Sequence, residues 1–162
     1  KEQHQRLRNM RNIWIDHGDK AIFETITAFL PEINIEKYGE WYKQKPDADG
    51  TSEHPYQWPF VIYDKVVDDF VHEVYSFIDA HEEMGLNHYS SILEENDIRW
   101  DARDMENADV SVLDGRTVMA LIVGIIRAER FCDGILLEFF ENGCIAKWLY
   151  RLAAIDEKGN KK

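Results

Sequence analysis

Apolar residues recur three and four positions apart along most of this chain, and glycines and prolines cut that rhythm into helix-sized pieces. Leu7, Met10, Ile13 and Trp14 predict a first amphipathic helix, which Gly18 stops. Asp19 is placed to cap a second over Lys20 to Leu30, where Ile22, Phe23, Ile26, Phe29 and Leu30 form one stripe and Pro31 ends it. The two would form a helical hairpin. Tyr63, Val66, Val67, Phe70, Val71, Val74, Tyr75, Phe77 and Ile78 make the clearest amphipathic stripe in the chain. After Gly85, the trio Tyr89, Ile92 and Leu93 predicts a short helix. Val118 to Ile126 is apolar all round, so it predicts a helix buried on most sides, introduced by Ser111-x-x-Asp114, a capping box with Asp in place of Glu or Gln. Asp133 is placed to cap a further short helix through Phe140, and Gly143 to take a left-handed stop. Ile145, Trp148, Leu149 and Leu152 stripe a last helix.

The rhythm fails in two places. From Ile33 to Pro59, Gly39, Pro46, Gly50, Pro55 and Pro59 punctuate a polar stretch that reads as a long irregular connection. It carries Tyr38, Trp41, Tyr42, Tyr56 and Trp58, which either pin the loop onto the core or serve a ligand. Arg99 to Asp109 reads as a second loop. No alternation of period two and no internal repeat stands out. The pattern therefore predicts an all-α fold, a single compact multi-helix bundle around a buried central helix, with one long aromatic-rich loop. Residues 1–156 form one helical domain in this reading, and the Lys-rich residues 157–162 a disordered tail.

Composition narrows the function classes. A chain of 162 residues, 44% hydrophobic and 31% charged, can bury one good core and is short for two. Its net charge of −12 repels phosphate backbones, and no block of Lys and Arg compensates, so nucleic acid is excluded as a partner. Cys132 and Cys144 are too few for a disulfide framework, which predicts reduced thiols and a cytoplasmic protein. The longest apolar run, Val118 to Ile126, is about half of what a membrane helix needs, and no signal peptide is recognisable. The chain opens on Lys1 rather than Met, which leaves room for a removed leader.

The chemistry concentrates in Arg127-Ala128-Glu129-Arg130-Phe131-Cys132-Asp133-Gly134, where charges, a thiol and a helix breaker close the most apolar segment. Helical spacing sets Arg127 and Arg130 about 60° apart and Glu129 about 200° from Arg127, so the two guanidiniums share a face that Glu129 does not. Buried, that face requires an anion, because an unpaired buried charge costs several kcal/mol, roughly 3–5 when one partner of a pair is removed. The anion is either a protein carboxylate, with Asp101 and Asp104 as candidates, or a phosphate or carboxylate ligand helped by the amides of the next helix. In the second case Glu129 and Asp133 are acid, base or metal-ligand candidates. Cys132 lies between Arg130 and a helix start, which favours the thiolate, and beside Asp133, which opposes it. A buried, structural thiol is the plainer reading. Asp64, Asp68 and His72 share a helix row with metal-site spacing, yet a solvated face explains them. No zinc motif, phosphate loop, dinucleotide fingerprint or nucleophile elbow is present, so neither a metal nor a cofactor is expected.

From Ala108 to Leu152 the chain resembles a family of small bacterial proteins catalogued as the domain-of-unknown-function 6508 family. Arg127, Glu129, Arg130, Phe131, Cys132, Asp133 and Gly134 match its motif, followed by the Glu141-Asn142-Gly143 turn and a closing helix. Phe29-Leu30-Pro31, Gly39-Glu40-Trp41 and the Val66 to Tyr75 helix extend the resemblance. The resemblance implies a fold unit and a focal motif without a reaction. The function expected is a noncatalytic cytoplasmic helical domain that binds a small anionic ligand or a protein partner near Arg127 and Arg130, with the Trp41 to Trp58 loop, Tyr56 included, as a lid. The competing expectations are an enzyme acting on a phosphorylated or nucleotide-like substrate and a structural or oligomer-forming protein.

Overall fold

The computed structural model describes residues 21–33 and 37–160. The helix expected from Leu7 to Trp14 lies outside them. Within the described residues the chain is all-α: seven α-helices and one small two-stranded ribbon. In chain order these are α1 (Glu24–Thr27), β1 (Gly39–Trp41), β2 (Val61–Tyr63), α2 (Lys65–Ala80), α3 (Tyr89–Glu95), α4 (Ala102–Asn107), α5 (Gly115–Ala128), α6 (Ile135–Glu141) and α7 (Cys144–Asn160).

Helix α5 is the centre of the bundle because its sequence has no polar face to offer water. Every residue from Thr117 to Ile126 is buried, and α3, α6 and α7 pack around it. Each fully buried Val, Leu or Ile there contributes about 1.5–3 kcal/mol. Asp114 starts the helix, its carboxylate accepting from the Thr117 amide at 2.8 Å and from the Thr117 hydroxyl at 2.6 Å. The cap is therefore Asp114 alone. Ser111 lies in the preceding 3₁₀ turn, where it bonds Asp109, and takes no part in a capping box. The prediction of a left-handed stop at Gly143 holds, with φ +85°, and Asn142 accepts from the Cys144 amide to open α7. Helix α7 runs on past residue 156 to Asn160.

An aromatic chain joins the outer elements. Phe29 meets Phe70 edge-on at 5.5 Å, Phe70 meets Phe140 at 5.6 Å, and Phe140 meets Tyr38 at 5.1 Å. Tyr38, whose hydroxyl donates to the Ile33 carbonyl, thus anchors the start of the long connection on α2 and α6. Its expected irregularity is interrupted by β1, which pairs antiparallel with β2 just beyond the connection, Gly39 opposite Tyr63 and Trp41 opposite Val61, so Tyr63 belongs to a strand and not to the helix its stripe predicted. Three residues per strand are too few to show alternation. The second expected loop also contains structure: α4, whose N-cap Asp101 accepts from the Asp104 amide at 2.9 Å. The expected second helix is shorter than its stripe, α1 covering Glu24–Thr27 before a 3₁₀ turn at Leu30–Glu32.

Asp156 is the one carboxylate among the buried polar residues of the core, and it accepts from the Phe23 amide at 3.0 Å. Burial pushes its carboxyl above the ordinary value, and the Phe23 and Ile22 amides oppose that only in part. A carboxyl raised on folding binds its proton more tightly in the native state, so its contribution to stability is full at acid pH and falls as pH rises through the raised value. Asp156→Asn keeps an acceptor for Phe23 and removes the charge. Its melting temperature should exceed that of the parent at pH 7, and the difference should close near pH 4. Melting curves of the two proteins at both pH values check this.

Candidate functional site at the α5–α6 corner

Helix α5 ends at Ala128, and the next six residues turn the chain through Gly134, at φ +89°, into α6. Both the Phe131 and the Cys132 amides return to the Ala128 carbonyl at 3.0 Å. Glu129 keeps right-handed helical dihedrals and the Arg130 amide bonds the Arg127 carbonyl at 3.3 Å, so the helix ends in a tightened turn.

The turn is organised by Glu129. One carboxylate oxygen accepts from the Gly134 amide at 2.9 Å, and the other from the Leu136 amide at 3.0 Å and the Tyr63 hydroxyl at 2.9 Å. The Tyr63 oxygen in turn accepts from the Leu137 amide at 3.0 Å. With Ile135 bonded to Cys132 and Glu138 to Gly134, all four opening amides of α6 are satisfied. Burial first, and the Glu129 carboxylate second, push the Tyr63 phenol far above its ordinary value, so it stays a donor to Glu129. Asp133, expected to cap α6, is exposed, and the cap position belongs to Gly134 with no side-chain bond. The amides that could have helped a ligand anion are occupied by the protein's own carboxylate and phenol.

The ribbon explains why Tyr63 is there. Its partner across β1 and β2 is Gly39, and Trp41 on the opposite strand lays its indole against Gly134, where an added Cβ would stand 2.2 Å from the ring. Both strands thus dock on the corner. Of the other loop aromatics, Tyr42 stacks on Phe60 at 4.9 Å and Tyr56 rests against Gly50 while 65% exposed. Trp58 is 87% exposed. A hollow of about 170 Å³ in the loop is lined by Tyr42, Lys45, His54 and Gln57, with His54 bonded to Asp47 at 2.9 Å, but not by Tyr56 or Trp58.

The two arginines sit in different environments. The Arg127 guanidinium stands 5.2 Å from the centre of the Tyr75 ring, and its Nε is buried without a hydrogen-bond partner. Arg130 is exposed, and neither is in an ion pair among the described residues. Asp104 and Asp101, the expected carboxylate partners, instead face Arg99 at 3.0 and 3.6 Å. Asp68 and His72 are exposed on α2 behind Asp64, and no group of three or more potential ligands is placed to hold a metal among the described residues.

Beside the turn lies a cleft of about 230 Å³, walled by Trp100 and Met105 on one side and Ile125, Ala128, Phe131 and Ile135 on the other. Cys132 lines it and is exposed, contrary to the expectation of burial. Cys144 is the buried thiol, and burial pushes its pKa up. Trp100 is held by its indole N–H, which donates to the Gly124 carbonyl at 2.9 Å, and by edge contacts with Tyr89 at 5.2 Å and Phe131 at 6.1 Å. Phe131 is 80% exposed. The sequence pattern left Trp100 unassigned and Phe131 only a member of the motif. The signal was an aromatic next to charge, Arg99-Trp100-Asp101 and Arg130-Phe131, where a solvated loop has no use for one.

The fold and the corner together define an all-α domain whose buried central helix hands over to a short, carboxylate-capped helix beside an open apolar cleft. No helix among the described residues is long and apolar enough to cross a membrane. The chain belongs to the family of unknown function DUF6508, whose family model matches residues 19–158. No curated protein and no solved structure matches it.

Proposed function

We propose that this chain is a noncatalytic binding domain for a protein partner, and that the cleft at the α5–α6 corner receives an apolar side chain of that partner. The observation that carries this is Phe131, 80% exposed at the edge of an apolar cleft beside Trp100. Aromatic residues in such positions dominate the energetics of protein interfaces. The cleft, at about 230 Å³, is smaller than the roughly 300–1,000 Å³ of small-molecule sites, and it lacks their set of convergent polar groups. Between the two ligand classes admitted near Arg127 and Arg130, the geometry therefore favours a protein over a small anion: neither guanidinium lines the cleft. The enzyme reading loses its main residue, since Glu129 already accepts three hydrogen bonds from the protein. An exposed free thiol at Cys132 favours a reducing, cytoplasmic setting, and the family resemblance a bacterial one.

The test is selection from a displayed random-peptide library, followed by affinity measurement on Ala102→Trp, which fills the cleft from an exposed position, and on Phe131→Ala. Selected peptides should share an apolar residue and bind both variants at least about tenfold more weakly, while melting temperatures stay near that of the parent. Absence of selected peptides, or equal binding to Ala102→Trp, would refute the reading.

A further inference from the structure

The cleft has apolar walls, but the segments that build it are strongly acidic. Trp100 and Met105 lie on residues 94–109, and Ala128, Phe131 and Ile135 on residues 127–141. These two segments carry eleven carboxylates against four guanidiniums, and so hold seven of the chain's twelve net negative charges in fewer than a fifth of its residues. Nine of those carboxylates are on exposed residues: Glu94, Glu95, Asp97 and Asp101, with Glu106, Asp109, Asp133, Glu138 and Glu141, of which Glu95 pairs with Arg116 at 3.9 Å and Asp101 with Arg99 at 3.6 Å. Of the four guanidiniums, Arg99 balances Asp104 and Asp101, Arg127 is turned onto Tyr75, and Arg103 and Arg130 are exposed.

From this we infer that the partner segment seated in the cleft is basic, with an apolar side chain as anchor and lysines or arginines on either side of it. The inference rests on the reading of the cleft as a protein-binding site. The anchor sits against Trp100 and Phe131 and desolvates them, while the flanking cations meet Asp101 in the lining and Asp133 beside it. Asp101 lines the cleft and Asp133 directly follows Cys132 in its wall, so both are next to the anchor position. Complementary charge of this kind raises the association rate and discriminates among partners more than it adds affinity, and salt screens it. A basic flank also suits the molecule as a whole, since a net charge of −12 draws cationic segments and repels acidic ones before contact.

Three acetylated and amidated pentapeptides test this, each with a central leucine flanked on both sides by two lysines, two serines or two glutamates. Binding is followed by NMR through the Trp100 indole N–H, a distinct reporter because it is fixed on the Gly124 carbonyl. At low ionic strength the lysine peptide should bind about tenfold more tightly than the glutamate peptide, with the serine peptide between them. The gap should shrink at about 0.5 M salt, where the Debye length is only a few Å, and Ala102→Trp should abolish binding of all three. Equal binding of the three peptides to the cleft would overturn the basic-partner inference and leave the docking site standing. No effect of any peptide on the Trp100 signal would overturn both. Concentration-dependent self-association abolished by Ala102→Trp would make a second copy of the chain the occupant and likewise overturn the inference.

Discussion

Glu129→Ala is expected to lower the melting temperature by about 6–12 °C. The substitution strands the buried Gly134 and Leu136 amides and the Tyr63 hydroxyl, all of which now end on that carboxylate. An orphaned donor costs roughly 1–3 kcal/mol when water does not reach it, and solvent reaches this corner in part, so a total of about 3 kcal/mol is reasonable. In a chain of this size each kcal/mol moves the midpoint by about 2–4 °C. Glu129→Gln retains one good acceptor and should fall between the variant and the parent. Calorimetry of the three proteins checks the series, and a melting temperature unchanged in Glu129→Ala would show that the carboxylate is not what holds α6.

Gly134→Ala should be nearly as damaging, for a different reason. At φ +89° a residue with a Cβ is strained by about 1–2 kcal/mol, and here the Cβ would also stand 2.2 Å from the Trp41 ring. The indole has to leave, and with it goes one of the two attachments of the ribbon. A loss of about 2–4 kcal/mol is expected, and a double-mutant cycle separates the parts: in a Trp41→Ala background, Gly134→Ala should cost only the backbone strain of about 1–2 kcal/mol. Equal costs in the two backgrounds would show that Trp41 and Gly134 do not interact. The motif glycine is thus explained by what lands on it as well as by its own conformation.

Much of the bundle was legible because its signals are local. An uninterrupted apolar run bounded by a cap residue and set among amphipathic helical stripes reads as the centre of a helical fold, and α5 is. The stripe from Tyr63 to Ile78 is almost all α2, and Gly143 stops its helix where expected. What was not legible depends on residues far apart. Glu129 and Tyr63 are 66 positions apart, and no spacing rule connects a carboxylate after one helix with a phenol at the end of a three-residue strand. Glu129 therefore read as a reactive group when its oxygens are committed to capping α6. Helix α4 was missed because only Met105 and its cap report it, the remainder being charged or small. The environments of the arginines were equally hidden from spacing: Arg127 lies on Tyr75 with its Nε buried, while Arg130 is exposed.

The ribbon has a consequence for how this family can vary. Its base is fixed twice on the corner, through Tyr63 and through Trp41, while residues 42–60 form an excursion between the two strands. Closing a longer excursion on the same base costs little, about 0.6 kcal/mol for each doubling of its length. Relatives are therefore free to lengthen, shorten or replace that segment while the corner keeps its shape. It is also the place where a foreign peptide, a tag or a protease site can be introduced into this protein with the least effect on the bundle beneath.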